Sequence, residues 1–142
     1  IDGIARNNII LSTDPAAGDE GYEVAGISLR SVCGVDVYNN TIVALHPQAT
    51  SIELRFAADS VQIANNLIWP AMASDDGVEF AGAANLVDAL DSVVDAVGGR
   101  LHLVAGSPAI DAGVEVEVGA VVDDFDGDPR EGKLDIGADE FN

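Results

Sequence analysis

The chain repeats itself at a spacing that few folds can use. Gly26-Ile27-Ser28-Leu29-Arg30 returns as Ser51-Ile52-Glu53-Leu54-Arg55, with Ile27 and Ile52 25 residues apart. Val35-Asp36-Val37-Tyr38-Asn39-Asn40-Thr41-Ile42 returns as Val61-Gln62-Ile63-Ala64-Asn65-Asn66-Leu67-Ile68, with Asn39 and Asn65 26 residues apart. The difference of one puts an extra residue in the turn between the two blocks. A poorer copy, Ala5-Arg6-Asn7-Asn8-Ile9-Ile10, lies 32 residues before its counterpart, and the excess fits a loop through residues 14–21. Periods of roughly 20–30 residues belong to solenoids, in which each unit buries its apolar face only by stacking on the next. The L-x-x-L-x-L-x-x-N spacing of leucine-rich repeats is absent.

Within each unit the apolar residues alternate. Ile27 and Leu29, or Ile52 and Leu54, point one way while Ser28 and Arg30, or Glu53 and Arg55, point the other, as in a strand with one buried face. Val35 with Val37 and Val61 with Ile63 follow the same rule. The Asn pairs that follow suit a corner, because Asn tolerates positive φ and its amide can bond to a neighbouring coil. Asn39, Asn40, Asn65 and Asn66 are therefore read as a structural ladder, their amides satisfied at a turn.

Composition agrees with many short strands. The chain is 48% hydrophobic but only 5% aromatic, so its core must come from Val, Ile, Leu and Ala. With 142 residues it fits one domain, able to bury roughly 70% of the surface of its unfolded form. Twenty-five acidic against six basic residues give a formal charge of −19, which repels phosphate backbones and anionic lipid, so no nucleic-acid partner is expected. No apolar run approaches the ~20 residues that span a bilayer, so no membrane insertion is expected. A single Cys33 excludes an internal disulfide.

The repeats occupy residues 1–69. From Pro70 the register is lost, and residues 70–100 read as a loop with a short strand at Val78-Glu79-Phe80. Leu86, Val87, Leu90, Val93, Val94 and Val97 then recur at spacings of three and four, the stripe of a short helix or helical turn ended by Gly98-Gly99. Residues 101–142 begin with a strand at Leu101-His102-Leu103-Val104 and continue into a terminal motif; all three parts belong to one domain.

That motif has two unusual blocks. Ser107-Pro108-Ala109-Ile110-Asp111-Ala112-Gly113 is followed by Asp124-Phe125-Asp126-Gly127-Asp128-Pro129-Arg130 and Asp135-Ile136-Gly137-Ala138-Asp139-Glu140-Phe141. Together they resemble the C-terminal signature of the choice-of-anchor Q domain proteins, a family of bacterial surface proteins built on pectate-lyase-like right-handed parallel β-helices. The resemblance is strong over residues 101–141 and looser through the coils. It implies an all-β fold, a short right-handed parallel β-helix of about three coils with a C-terminal cap, and an extracellular or cell-surface location. It also implies an irregular segment with a short strand, in place of a helix, before Leu101. The chain stops at Asn142, directly after Phe141, so the anchoring tail of the family is not carried over. The first coil shows no cap at Ile1-Asp2-Gly3-Ile4, which leads to two expectations: coils upstream, or an end-to-end homodimer through this coil.

Three constellations bear on chemistry. The carboxylates around Gly127 and Gly137 offer hard oxygen ligands, and Asp124, Asp126, Asp128 and Asp135 are the candidate metal residues, with Ca²⁺ as the ion. The EF-hand pattern D-x-D-x-D-G fails, because Gly127 falls between the second and third Asp. The competing reading is that Asp111, Asp126 and Asp135 accept backbone N–H bonds in tight turns and pair with Arg130, locking the cap. A second group, Arg30, Glu53 and Arg55 with Trp69, is a candidate carbohydrate-contacting face. Pectate lyases combine an Arg base with carboxylate-bound Ca²⁺, and here the carboxylate half is missing, so an ion-paired solvent face is the plainer reading. Thirdly, His46 and His102 are too far apart in pattern for a zinc pair, and no triad or phosphate loop is present.

The function expected is a non-catalytic structural and capping module of a secreted or surface β-helix protein that presents a polysaccharide-contacting face. The alternatives are a fragment of a polysaccharide lyase or glycoside hydrolase whose active face lies on upstream coils, and a Ca²⁺-stabilised end-to-end oligomerisation module.

Overall fold

The computed structural model describes residues 3–13, 25–74, 81–87, 89–117 and 119–142. The loop expected at 14–21, the strand expected at 78–80, and Asp88 lie outside the described residues. The fold is all-β and rests on a curled parallel sheet.

Two parallel sheets are threaded in alternation. The first takes β1 (Gly3–Arg6), β3 (Ala25–Tyr38), β5 (Thr50–Ala64) and β7 (Ala73–Ser74) in that order, with β8 (Ala81–Ala83) also on β5. The second takes β2 (Ile9–Ser12), β4 (Thr41–Ala44) and β6 (Leu67–Trp69). The repeats read from the sequence are in register: Ile27 faces Ile52, Leu29 faces Leu54, Val35 faces Val61 and Val37 faces Ile63.

The long strands β3 and β5 are bent. Ser31 (φ 52°) and Gly34 (φ 64°) interrupt β3, and Phe56 (φ 69°) and Ser60 (φ 55°) interrupt β5. Pairing steps from Arg30 opposite Arg55 to Val32 opposite Ala58. The extra residue implied by the two repeat lengths therefore sits at this bend.

Alternation then fills the inside of the curl. Leu29, Val37, Ile42, Ile52, Leu54, Val61, Ile63 and Ile68 form one buried cluster drawn from both sheets. Val43 and Leu67, which point out of the other side of β4 and β6, are equally buried in a second cluster with Ala89, Val93, Ala96, Leu101, Leu103, Ala109 and Ile136. Strand β4 is thus covered on both faces, which explains its unbroken apolar run.

The apolar stripe over 85–97 predicts a short helix or helical turn; the structure forms one helical turn, α1 (Ala89–Ser92), and carries the rest of the stripe into β9 (Val93–Asp95), paired antiparallel with β10 (Arg100–Leu103). Asp95 closes the hairpin, accepting from the Gly98 backbone N–H at 2.8 Å and pairing with Arg100 at 3.2 Å. β-Branched Val93 and Val94 favour a strand, and burial against Val43 and Leu67 decides the outcome over helical spacing.

Candidate functional site

The most heavily built part of the molecule is the corner where each coil leaves the first sheet for the second. Asn7, Asn39 and Asn65 stand there at φ 53°, 49° and 58°, and Ala84 continues the column at 51°. Left-handed backbone lets the chain turn abruptly, and Asn tolerates it better than other non-glycine residues.

The next residue in each coil points its side chain along the stack. Asn8 Nδ2 donates to Asn40 Oδ1 at 2.8 Å, Asn40 to Asn66 at 2.9 Å, and Asn66 to Asn85 at 2.8 Å. Each acceptor oxygen also takes the backbone N–H of the residue above it, at 3.0–3.1 Å. The amide nitrogens additionally donate to carbonyls of the coils: Asn40 to Ala5 and Tyr38, Asn66 to Val37 and Ala64, Asn85 to Ile63. Asn40 and Asn66 form the ladder expected of them, and Asn8 and Asn85 extend it.

Asn39 and Asn65 serve a second purpose. Their side chains fasten the C-terminal segment: Asn39 Nδ2 donates to the Asp135 carbonyl at 2.9 Å, and Asn65 exchanges two bonds with the Val114 backbone, at 2.8 and 2.9 Å. Asn7 reaches the Asp123 carbonyl at 2.6 Å. Thr41 Oγ1 accepts from Ala138 N–H at 2.9 Å, and Gly137 N–H donates to the Asn65 carbonyl at 2.8 Å. Gly137 has φ 110°, and a Cβ there would lie 2.9 Å from Thr41 Oγ1 and 3.2 Å from Leu67 Cβ, so glycine is required twice over. The segment therefore runs along the side of successive repeats. Side-chain amides unused by the ladder give it a continuous row of partners.

The two terminal blocks are tied to each other by buried charge. Asp135 accepts from Asp111 N–H and Phe141 N–H, each at 2.7 Å. Asp124 accepts from Asp126 and Asp128 N–H through one oxygen, both at 2.9 Å, and from Glu140 N–H through the other at 3.2 Å. The Arg130 side chain is 0% exposed. It pairs with Glu140 at 2.8 Å and donates to the carbonyls of Asp123, Gly137 and Ala138 at 3.1, 2.9 and 3.0 Å. Burial pushes the Glu140 carboxyl above its ordinary range, opposed by the Asp135 backbone N–H and by Arg130, while the charge of Asp135 adds to the rise.

The turn-locking reading, made for Asp111, Asp126 and Asp135, holds for Asp135, to which Asp111 contributes its backbone N–H, and Asp124, not named in it, accepts backbone N–H bonds in the same way. Asp126 instead pairs with His102, and Arg130 takes Glu140 as its ion partner. The four candidate metal residues, Asp124, Asp126, Asp128 and Asp135, are not gathered around one point: Asp124 and Asp135 spend both oxygens on backbone N–H groups, while Asp126 and Asp128 are exposed. A different trio converges. His102, Asp126 and Asp139 bring one ligand atom each to within 4.8 Å of one another.

The candidate carbohydrate face does not assemble as one surface. Glu53, on β5, is only 4% exposed and lies between Arg55 at 2.7 Å and Arg30 at 3.3 Å, with the Ser28 hydroxyl donating to it at 3.0 Å. Trp69 is 38% exposed on the other sheet. Among the described residues no helix is long and apolar enough to cross a membrane.

His102 and the asparagine split were the features least visible in the sequence. Alternation along β10 places His102 outward, but its partners lie 24 and 37 residues away with no periodic signal linking them. Comparison with family models, curated proteins and solved structures gave no match for this chain.

Proposed function

We propose that the chain is a non-catalytic structural module, the terminal part of a right-handed parallel β-helix in a secreted or cell-surface protein of choice-of-anchor Q type. The observation that carries this reading is the use made of the C-terminal motif. Its polar groups bind the asparagine corner and one another: Asp124, Asp135 and Arg130 each satisfy several backbone groups, and none of the three is left open to a substrate. Parallel strands visited in turn support the helical course, and such crossovers are right-handed in about 98% of cases. The motif then acts as a clasp that fixes the last coils of a solenoid, whose units hold only their neighbours.

The test is a comparison of the intact chain with one truncated after residue 104. Loss of cooperative unfolding together with loss of strand signal supports the clasp; an unchanged transition would remove its basis. A polyuronate panel, followed by ultraviolet absorbance of unsaturated product, addresses the lyase alternative. Turnover abolished by Arg55→Ala would overturn the non-catalytic reading.

A further inference from the structure

We infer that His102, Asp126 and Asp139 form a binding site for a divalent first-row transition ion of the Zn²⁺ type. Three segments remote in sequence meet there: β10, the turn following Asp124, and the last block of the terminal motif. His102 Nε2 lies 2.9 Å from Asp126 Oδ2, and the Asp139 carboxylate completes the group within 4.8 Å. Zn–N and Zn–O bonds of about 2.0–2.2 Å put neighbouring ligand atoms roughly 3–3.5 Å apart, so the three side chains would close on the ion from separations of at most 4.8 Å.

Each ligand is already oriented. Asp139 Oδ2 accepts from the Leu103 backbone N–H at 2.7 Å, beside His102 on the same strand. Asp126 is held through its own N–H, bonded to Asp124 Oδ1 at 2.9 Å. The imidazole packs against Phe125, ring centroids 5.0 Å apart and tilted by 56°. Outer contacts of this kind fix ligand geometry in metal sites.

Charge supplies an independent argument. Asp139 is only 6% exposed, and a buried carboxylate needs compensation. It is flanked by the carboxylates of Asp124 and Asp126, and the basic side chain beside it is His102, itself one of the three. A divalent ion would supply the missing positive charge. The donor set selects among ions: Ca²⁺ takes six to eight oxygens, whereas one imidazole with two carboxylates suits Zn²⁺ and its neighbours. His102 and Asp126, with side chains 53% and 49% exposed, leave the outward positions to water.

Metal-free protein titrated with Zn²⁺ by calorimetry, at physiological ionic strength, tests the site. The expected result is one saturable ion per chain, bound at least tenfold more weakly by His102→Ala and by Asp126→Asn, and equally well by Asp91→Asn, which removes an exposed carboxylate from α1. Visible bands of bound Co²⁺ should depend on His102. Ca²⁺ in excess should not displace either ion. Both altered side chains are exposed, and a cooperative urea transition confirms that each variant is folded. Absence of saturable binding, or binding unaltered in both variants, would overturn the inference and leave His102–Asp126 as a surface ion pair.

Discussion

Asn39 and Asn40 are adjacent and do different work. The first turns the backbone and holds the terminal segment; the second carries the coil-to-coil amide ladder. Replacing Asn66 by Ala strands the Asn40 backbone N–H in a buried corner, worth about 1–3 kcal/mol when unsatisfied, and takes one donor each from the Val37 and Ala64 carbonyls, so a loss of about 3 kcal/mol is expected in urea unfolding. Asn65→Gly keeps the left-handed turn and loses mainly the Val114 bonds, so it should cost about 1–2 kcal/mol. If Asn65→Gly proved the more damaging of the two, the division of roles would be wrong. Tyr38 provides a second check. Burial, followed by the charges of Asp36 and Glu117, pushes its hydroxyl up to about 12. A raised folded value means stability that is intact below the unfolded value of ~10 and is lost as pH rises through the folded one. Ultraviolet titration should show this late ionisation, and Tyr38→Phe should lessen the alkaline loss of stability; ionisation of every tyrosine near 10 in the folded protein would refute it.

At the scale of elements, β4 and β6 are held from both sides, so their outward residues behave as core. Leu67→Ala should cost about 2–5 kcal/mol although Leu67 lies outside the curl. A change below 1 kcal/mol would mean that the cover packs loosely. Arg130→Met leaves Glu140 buried without its cation and the Gly137 carbonyl without its donor, which should cost about 3–5 kcal/mol. Hydrogen exchange should then show the terminal segment opening ahead of β4. The coil strands were legible because a two-residue alternation repeated at fixed spacing has few meanings. Residues 85–97 were not, because a stripe at spacings of three and four fits one helical turn plus a strand as well as a helix, and the choice depends on what lies beneath.

For the whole molecule, the raised carboxyls and the charge of −19 act in the same direction. Asp139 and Glu140 are raised by burial, and His102 by its hydrogen bond to Asp126. Each contributes stability present below its unfolded value and lost as pH climbs through the folded one. Asp123, held low by Arg6, and Asp95, held low by the Gly98 N–H, oppose them, their contributions failing as pH falls through the folded values. In chelator, the melting temperature should therefore rise as pH is lowered from about 8 to about 5, and fall again below about 4. A flat or declining profile over the first interval would contradict this. The first-coil strands β1 and β2 are sheet edges that expose Ile4 and Leu11. The sequence leaves two covers for these strands, further coils upstream or a second copy of the chain; we propose the second copy, visible as a mass that doubles with concentration in light scattering, and a monomer at every concentration would exclude it.

The sequence by itself determined the coil. Side chains that alternate in and out, with Asn where the backbone must turn, define a unit whose apolar face can be satisfied only by its neighbours, and the one-residue slip at the bend follows from repeat lengths alone. Tertiary structure decided what lies outside the coils. Which Asn of each pair builds the ladder, which acid answers Arg130, and the meeting of His102 with Asp126 and Asp139 all depend on where the terminal segment docks. Contacts between segments so far apart carry no local period, and the free energy that selects them resides in groups satisfied only once both surfaces are in place.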